Sequence, residues 1–370
     1  MILLSMLAFA AEIALNPAPV LIPPAAQYQD HNRYWQGIPG IERTRGGSLW
    51  ATWYSGGTGE GPQNFVVLAR SRDNGGVWSP PQLIVDPPDP VRAYDPCLWL
   101  DPGGTLWLFW AQSFDKWDGR GGVWAITTAN PDDPSPKWSK PRRIADGVMM
   151  NKPTVLADGT WLLPISGWRF KAPDPEAKPR GGAGVYASTD NGRTFHYRGQ
   201  ALLSEPQFDE HMTVERKDGS LWMLVRTAYG IGQSESRDKG ATWSAGGPSG
   251  IPHPVTRFHL RRLKSGRLLL VRNDPDPARS KLRKRLTAFV SDDDGKSWKG
   301  GLVIDPRDSV SYPDAAEAPD GTLYVIYDRE RGGAKEILCA RIREDDILAG
   351  KPVSDGARLQ MLVNKATGKR

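Results

Sequence analysis

The stretch EHMTVERKDGSLWMLVRT, Glu210 to Thr227, followed by SESRDKGATW, Ser234 to Trp243, decides how the chain folds. It reads as three pieces. A first strand runs into a tight turn at Asp218-Gly219. Leu221 to Val225 is then apolar at every position, the pattern of a strand buried on both faces. Arg226 closes that strand with a charge. The third piece, Ser236-x-Asp238-x-Gly240-x-Thr242-Trp243, is made of turn residues.

The rest of the chain repeats this unit. Equivalent turns stand at Gly47 (GGSLW), Gly104 (GGTLW), Gly159 (DGTWL), Gly219 (DGSLW), Gly266 (SGRLL) and Gly321 (DGTLY). An X-Gly pair between two strands is a hairpin signal, because glycine supplies the positive φ the turn requires. The turn with the Ser-x-Asp-x-Gly pattern recurs at Ser71 to Trp78, Ser188 to Phe195, Ser236 to Trp243 and Ser291 to Trp298. The first copy has Val77 where the others have Thr or Ser, and a degenerate copy ends at Lys137-Trp138-Ser139. These turns fall between the third and fourth strands of each unit. Their Ser and Asp side chains tie down the loop, so the carboxylates are structural.

Six units of about 55 residues and four strands predict an all-β, six-bladed β-propeller. The units occupy most of Trp35 to Asp346, with the segments before Trp35 and after Lys351 available to close the ring. The 15 Trp fit a repeated packing role: Trp50, Trp107, Trp161 and Trp222 in second strands, Trp78, Trp138, Trp243 and Trp298 at the turns. No linker interrupts the pattern, so residues 12–370 read as one domain. Residues 1–11 read as a signal peptide, with an apolar core from Ile2 and a small-residue cleavage pattern at Ala8-Phe9-Ala10-Ala11. Export to the periplasm or outside the cell follows from that leader.

With 40 Gly and 32 Pro, the composition suits many short strands and turns. No apolar run is long enough to span a bilayer. Cys97 and Cys339 are too few and too far apart for a metal site or a disulfide framework. Asp292-Asp293-Asp294-Gly295 belongs to one of the turns and lacks the spaced ligands of a calcium loop. Neither metal nor cofactor is expected. The net charge of +6 is dispersed. Its one dense run, Arg279 to Arg285, has no interleaved aromatics and gives no reason to expect nucleic acid.

The repeat also predicts a site. Nine residues before each hairpin glycine stand Ile38, Asp95, Met150, Glu210, Arg257 and Tyr312. Equivalent positions of a propeller converge on one rim, and four of these six are polar or reactive where a core strand would take Val or Ile. Arg226, seven past its glycine, returns to the same rim. An axial opening lined by such groups is a natural ligand site.

The hairpins, the Asp-box turns and this rim together resemble the six-bladed sialidases (exo-α-neuraminidases) and, more broadly, the BNR Asp-box repeat glycoside hydrolases. The resemblance covers nearly all of the chain after the leader. Its more specific parts are Glu210 through VERKDGSL to Arg226, and Ser311-Tyr312-Pro313 ahead of DGTLYVIY. It implies a retaining exo-glycosidase with Tyr312 as nucleophile and Glu210 as the partner that polarises it. Arg226 and Arg283 would grip the sugar carboxylate, with Arg285 competing with Arg283, and Asp95 would contact the sugar. Two positions depart from the family pattern. The Arg-Ile-Pro before the first hairpin is here Gly37-Ile38-Pro39, and the acid/base Asp has no Asp counterpart, leaving Glu60 as the nearest carboxylate. Arg257 or Lys152 is the conjectured replacement for the missing arginine. The expected partner is an acidic glycan carrying sialic acid or a related terminal sugar.

Two other readings share the architecture. One is a propeller that binds glycans without turnover. The other is a lyase or hydrolase of uronate-containing polysaccharide, with Tyr312 as base and His211 or His253 assisting.

Overall fold

The apolar run after Gly219 owes its lack of alternation to two different cores. In the computed structural model, which describes residues 13–114, 117, 121–168, 181–275 and 282–369, Leu221–Thr227 is a strand buried at every position. Leu221, Met223 and Val225 pack on one side with Leu156, Leu162 and Val185. Trp222 and Leu224 pack on the other with Phe258, Leu260 and Leu268. The strand does alternate, but both faces meet an apolar neighbour, as they must in a ring of stacked sheets.

Six antiparallel sheets form that ring. Blade 1 comprises Gln36–Arg43, Leu49–Ser55, Phe65–Ser71 and Leu83–Val85, with Val20–Leu21 added at its outer edge. Blade 2 comprises Val91–Leu100, Leu106–Phe114, Gly122–Thr128 and Arg142–Ala145, and blade 3 Thr154–Val155, Trp161–Gly167, Gly182–Ser188 and His196–Ala201. Blade 4 comprises Pro206–Glu215, Leu221–Thr227, Gly230–Ser236 and Gly247–Pro248. Blade 5 comprises His259–Arg262, Leu268–Asn273, Lys284–Ser291 and Lys299–Asp308. Blade 6 comprises Val310–Glu317, Leu323–Arg329, Glu336–Ile342 and Arg358–Lys365, with the helix Glu344–Ala349 before its last strand. The sixth unit therefore runs past Asp346. Its outer strand comes from the C-terminal segment that the repeat pattern left unassigned.

One apolar cluster seals each blade interface, including that between blades 6 and 1, where Tyr324 and Ile326 meet Ile41, Ala51 and Trp53. Trp107 and Trp222 of the second strands lie beneath the turns of the next blade. A Cβ on Gly295 would stand 2.3 Å from the Trp222 ring, which keeps that turn glycine bare. The ends of the chain meet where Arg33 donates to Asn364 Oδ1 at 2.8 Å and Thr367 N–H to Asp30 O at 2.8 Å.

The Asp-box turns behave as expected. In the third full copy, Gly240 N–H donates to Ser236 Oγ at 2.9 Å, Thr242 N–H to Asp238 Oδ1 at 2.8 Å and Thr242 Oγ to Asp238 Oδ2 at 2.6 Å. These bonds hold the Asp238 carboxyl down at about 2. The copy at Ser71 keeps the backbone bond from Val77 to Asp73, at 2.9 Å, without the hydroxyl.

The inner strands bend outward at matching places. Ile38, Asp95 and Tyr312 have φ of 56°, 48° and 55°, the left-handed region that non-glycine residues seldom enter. At each, the pairing with the second strand slips, as a bulge does. Each precedes a proline (Pro39, Pro96 or Pro313), whose missing N–H costs the broken ladder nothing. Blade 4 slips more broadly between Pro206 and His211. These bulges lift side chains of several blades toward one opening. Among the described residues no helix is long and apolar enough to cross a membrane. The leader expected at residues 1–11 lies outside the described residues.

Candidate functional site

The opening leads into a cavity of about 430 Å³. Ile38, Glu60, Asp95, Glu210 and Tyr312 line it, beside an aromatic wall that includes Tyr54, Trp168 and Phe208. At its floor the Tyr312 phenol donates to Glu210 Oε1 at 2.9 Å. Arg226 Nη1 donates to the same Oε1 at 2.7 Å and to the phenol oxygen at 2.9 Å. All three side chains are buried. Glu210 Oε2 has no partner among the described residues.

This triangle sets the protonation of the phenol. Burial pushes the Tyr312 pKa above the ordinary 10.0, and Glu210 pushes the same way, while Arg226, Arg283 and Arg331 pull it back. The group rests as a neutral phenol bonded to a carboxylate that can take its proton. The Asp95 carboxyl is shifted in the same direction. Burial, then Glu60, lifts its carboxyl from 3.8 to about 8.

A second layer of arginines faces the phenol ring. The Arg331 guanidinium lies 4.2 Å from the ring centroid and that of Arg283 lies 5.2 Å from it. Asp328 anchors the first: its Oδ2 accepts from Arg331 Nε at 2.8 Å and from Ile38 N–H at 2.8 Å. Ser311 Oγ donates to Asp328 Oδ1 at 2.6 Å and accepts from Arg283 Nη1 at 3.3 Å. Arg285 points away and pairs with Asp274 at 2.7 Å, so Arg283 is the arginine at the site.

Of the residues singled out in the sequence, Tyr312, Glu210, Arg226, Arg283, Asp95 and Glu60 are brought together. Arg257 is not. It is buried away from the cavity lining, donating to Asn151 Oδ1 at 2.6 Å and to Met150 O at 3.2 Å. Lys152 is also committed elsewhere, 3.1 Å from Asp314 and 3.2 Å from Glu42. Neither replaces a clamp arginine at position 37, and the conjecture that one of them does is corrected. The histidines stand aside too. Burial lowers His211 to about 4 and His253 to about 3, and neither lines the cavity.

A model of the family described as "BNR repeat-like domain" matches residues 47–325. The chain belongs to that family. Solved structures agree on the propeller of this BNR-repeat chain. A protein of unknown function from Dyadobacter fermentans is 19% identical with a TM-score of 0.64, covering 86% of this chain and 95% of that one. The intramolecular trans-sialidase from Ruminococcus gnavus, solved with oseltamivir carboxylate, is 14% identical with a TM-score of 0.65, covering 90% and 98%. The Hadza microbial sialidase Hz136 is 22% identical with a TM-score of 0.61, covering 80% of this chain and 63% of that one. The BNR-repeat chain matches no curated protein sequence. At these identities the likeness concerns the fold.

Sequence reading missed two arginines: Arg92, which lines the cavity, and Arg331. Arg331 lies in the connection after Leu323–Arg329, outside any counted register. The available signal was indirect: Gly37, a bare position where the family pattern has an arginine, leaves a volume for some other side chain to fill.

Proposed function

We propose that this chain is a retaining exo-glycosidase that releases a terminal acidic sugar, sialic acid or a relative. The observation that carries the reading is the Tyr312–Glu210 bond of 2.9 Å, set beneath Arg226 and Arg283. A glycosidic carbon bearing a carboxylate repels an anionic nucleophile, and a neutral phenol avoids that repulsion. Tyrosine nucleophiles are a recognised departure from the two-carboxylate scheme. The phenol oxygen bonds to the anomeric carbon as its proton passes to Glu210. Glu60 protonates the leaving oxygen, then takes a proton from the water that cleaves the tyrosyl–sugar bond, while Glu210 returns its proton to the departing phenoxide. Two displacements at one carbon give net retention.

The arginines suit the sugar carboxylate because a guanidinium offers paired N–H donors. Asp95, neutral below about 8, is able to donate a hydrogen bond to a sugar hydroxyl. Export of the mature chain belongs to the same proposal, since glycoconjugates lie outside the cytoplasm.

The test sets Tyr312→Phe beside wild type on fluorogenic sialosides and uronides. The expected result is turnover of one class by wild type and none by the variant, with folding unchanged by circular dichroism. Equal turnover by the two proteins would remove Tyr312 from the mechanism.

A further inference from the structure

Three observations converge on Arg331. First, its stem fills the space beside Gly37. A Cβ built on that glycine stands 2.6 Å from Arg331 Cδ, 2.7 Å from Cγ and 2.8 Å from Nε. Gly37 is not among the positive-φ residues, so the nearest obstacle to a side chain there is the Arg331 stem and not a backbone torsion. Second, the guanidinium lies over the Tyr312 ring with Nε fixed by Asp328, while Nη2 donates to Ser311 Oγ at 3.4 Å. Third, Nη1 donates to Glu60 Oε1 at 3.1 Å. The Glu60 side chain is 47% exposed, at the tip of a glycine-rich loop. Asn64 pins that loop through Gly56 O, Gly59 O and Gly61 N–H, so a change of rotamer is the route by which the Glu60 carboxylate would move.

We propose that Arg331 takes the substrate carboxylate in place of an arginine at position 37. In the empty site it holds Glu60, and the arriving acidic sugar displaces that carboxylate and frees it for the leaving oxygen. This rests on the glycosidase reading above. The two carboxylates compete for the Nη side of Arg331, because Asp328 holds Nε and Ser311 Oγ already meets Nη2. The Arg331–Glu60 pair is the weaker claimant, because it is partly exposed and has one bond. The sugar carboxylate also meets Arg226 and Arg283. Acid catalysis is thereby engaged by the acidic group of the correct substrate.

The test is a double-mutant cycle. Binding of free N-acetylneuraminic acid and, in parallel, of glucuronic acid is measured by calorimetry, beside fluorogenic turnover, in wild type, Glu60→Ala, Arg331→Gln and the double variant. Glu60→Ala is expected to bind the favoured acid about two- to five-fold tighter, since a weak exposed pair no longer competes. Arg331→Gln is expected to bind it about 10- to 100-fold more weakly, the loss of a charged hydrogen bond. In the double variant the gain from Glu60→Ala should vanish. A gain that persists without Arg331 would mean a general charge effect and overturn the handover. Unchanged binding by Arg331→Gln, with wild type turning over, sinks the assignment while the glycosidase reading stands. A wild type that neither binds nor turns over either sugar class removes that reading, and the role of Arg331 with it.

If Arg331→Gln fails to fold, G37R/R331G carries the test. Removing the Arg331 stem makes room for an arginine at position 37, and binding should return to within about ten-fold of wild type without any gain from Glu60→Ala. Failure of this relocated, folded variant to bind also overturns the proposal. Arg285→Ala, paired with Asp274 outside the site, serves as the unaffected control.

Discussion

Tyr312 and Glu210 stand 102 positions apart in the chain, yet the phenol of one donates to the carboxylate of the other across 2.9 Å. The same oxygen accepts from Arg226, so two donors fix Glu210 in one orientation. Glu210→Gln keeps the shape of this arrangement but cannot take the proton. Steady-state kinetics should show kcat reduced by about 10²- to 10⁴-fold with KM little changed. An unchanged kcat would exclude proton transfer to Glu210.

Asp95 should leave a mark on stability as a function of pH. Its folded value of about 8 lies above the ordinary 3.8, because burial, then Glu60, disfavours the charge. The folded chain therefore keeps a proton that the unfolded chain releases. The stability this carboxyl contributes is complete below about pH 4 and drains away as pH rises to about 8. Relative to Asp95→Asn, wild type should lose up to about 1.4 kcal/mol per pH unit across that window. Denaturant titrations at several pH values would reveal it, and parallel curves for the two proteins would contradict it.

Lys152 should matter for folding. Its ammonium lies 3.1 Å from Asp314 and 3.2 Å from Glu42, and it donates to the carbonyls of Ile41 at 2.5 Å and Leu98 at 2.6 Å. Burial pushes the Asp314 carboxyl up, but Lys152 and His259 outweigh it and hold the group well below the usual range. Lys152→Met strands two buried carboxylates, at a cost of about 3–5 kcal/mol in urea unfolding. A change under about 1 kcal/mol would show that the axial charges relax without it.

The Asp-box carboxylates should separate stability from activity. Asp238→Ala removes both bonds to Thr242 on the surface of blade 4. The expected outcome is a Tm lower by a few degrees with kcat unchanged. A loss of kcat at full folding would give this turn a part in the reaction.

Much of the architecture was legible because each blade repeats its own turn chemistry, and hairpin glycines set the register of every inner strand. Counting nine residues back found Asp95, Glu210 and Tyr312 at the cavity, and the same count placed Arg257 there wrongly. In blade 5 the residues before His259–Arg262 form no inner strand, and Arg257 turns to Asn151 instead. A register count holds only where the strand exists. Arg331 was invisible for a different reason. Its place is set by a gap beside Gly37 on another blade, a long-range fit that no local pattern carries. The outer strand Arg358–Lys365 was missed because the helix Glu344–Ala349 stands where other blades have an Asp box.

The left-handed bulges at Ile38, Asp95 and Tyr312 have a wider consequence. Each disconnects one side chain from the sheet that carries it, with a proline sealing the gap. Ile38 and Tyr312 nonetheless stay in the apolar cluster that blades 1 and 2 share, so the same side chains face the cavity and pack the ring. A substitution at position 38 therefore changes the cavity lining and the blade packing together.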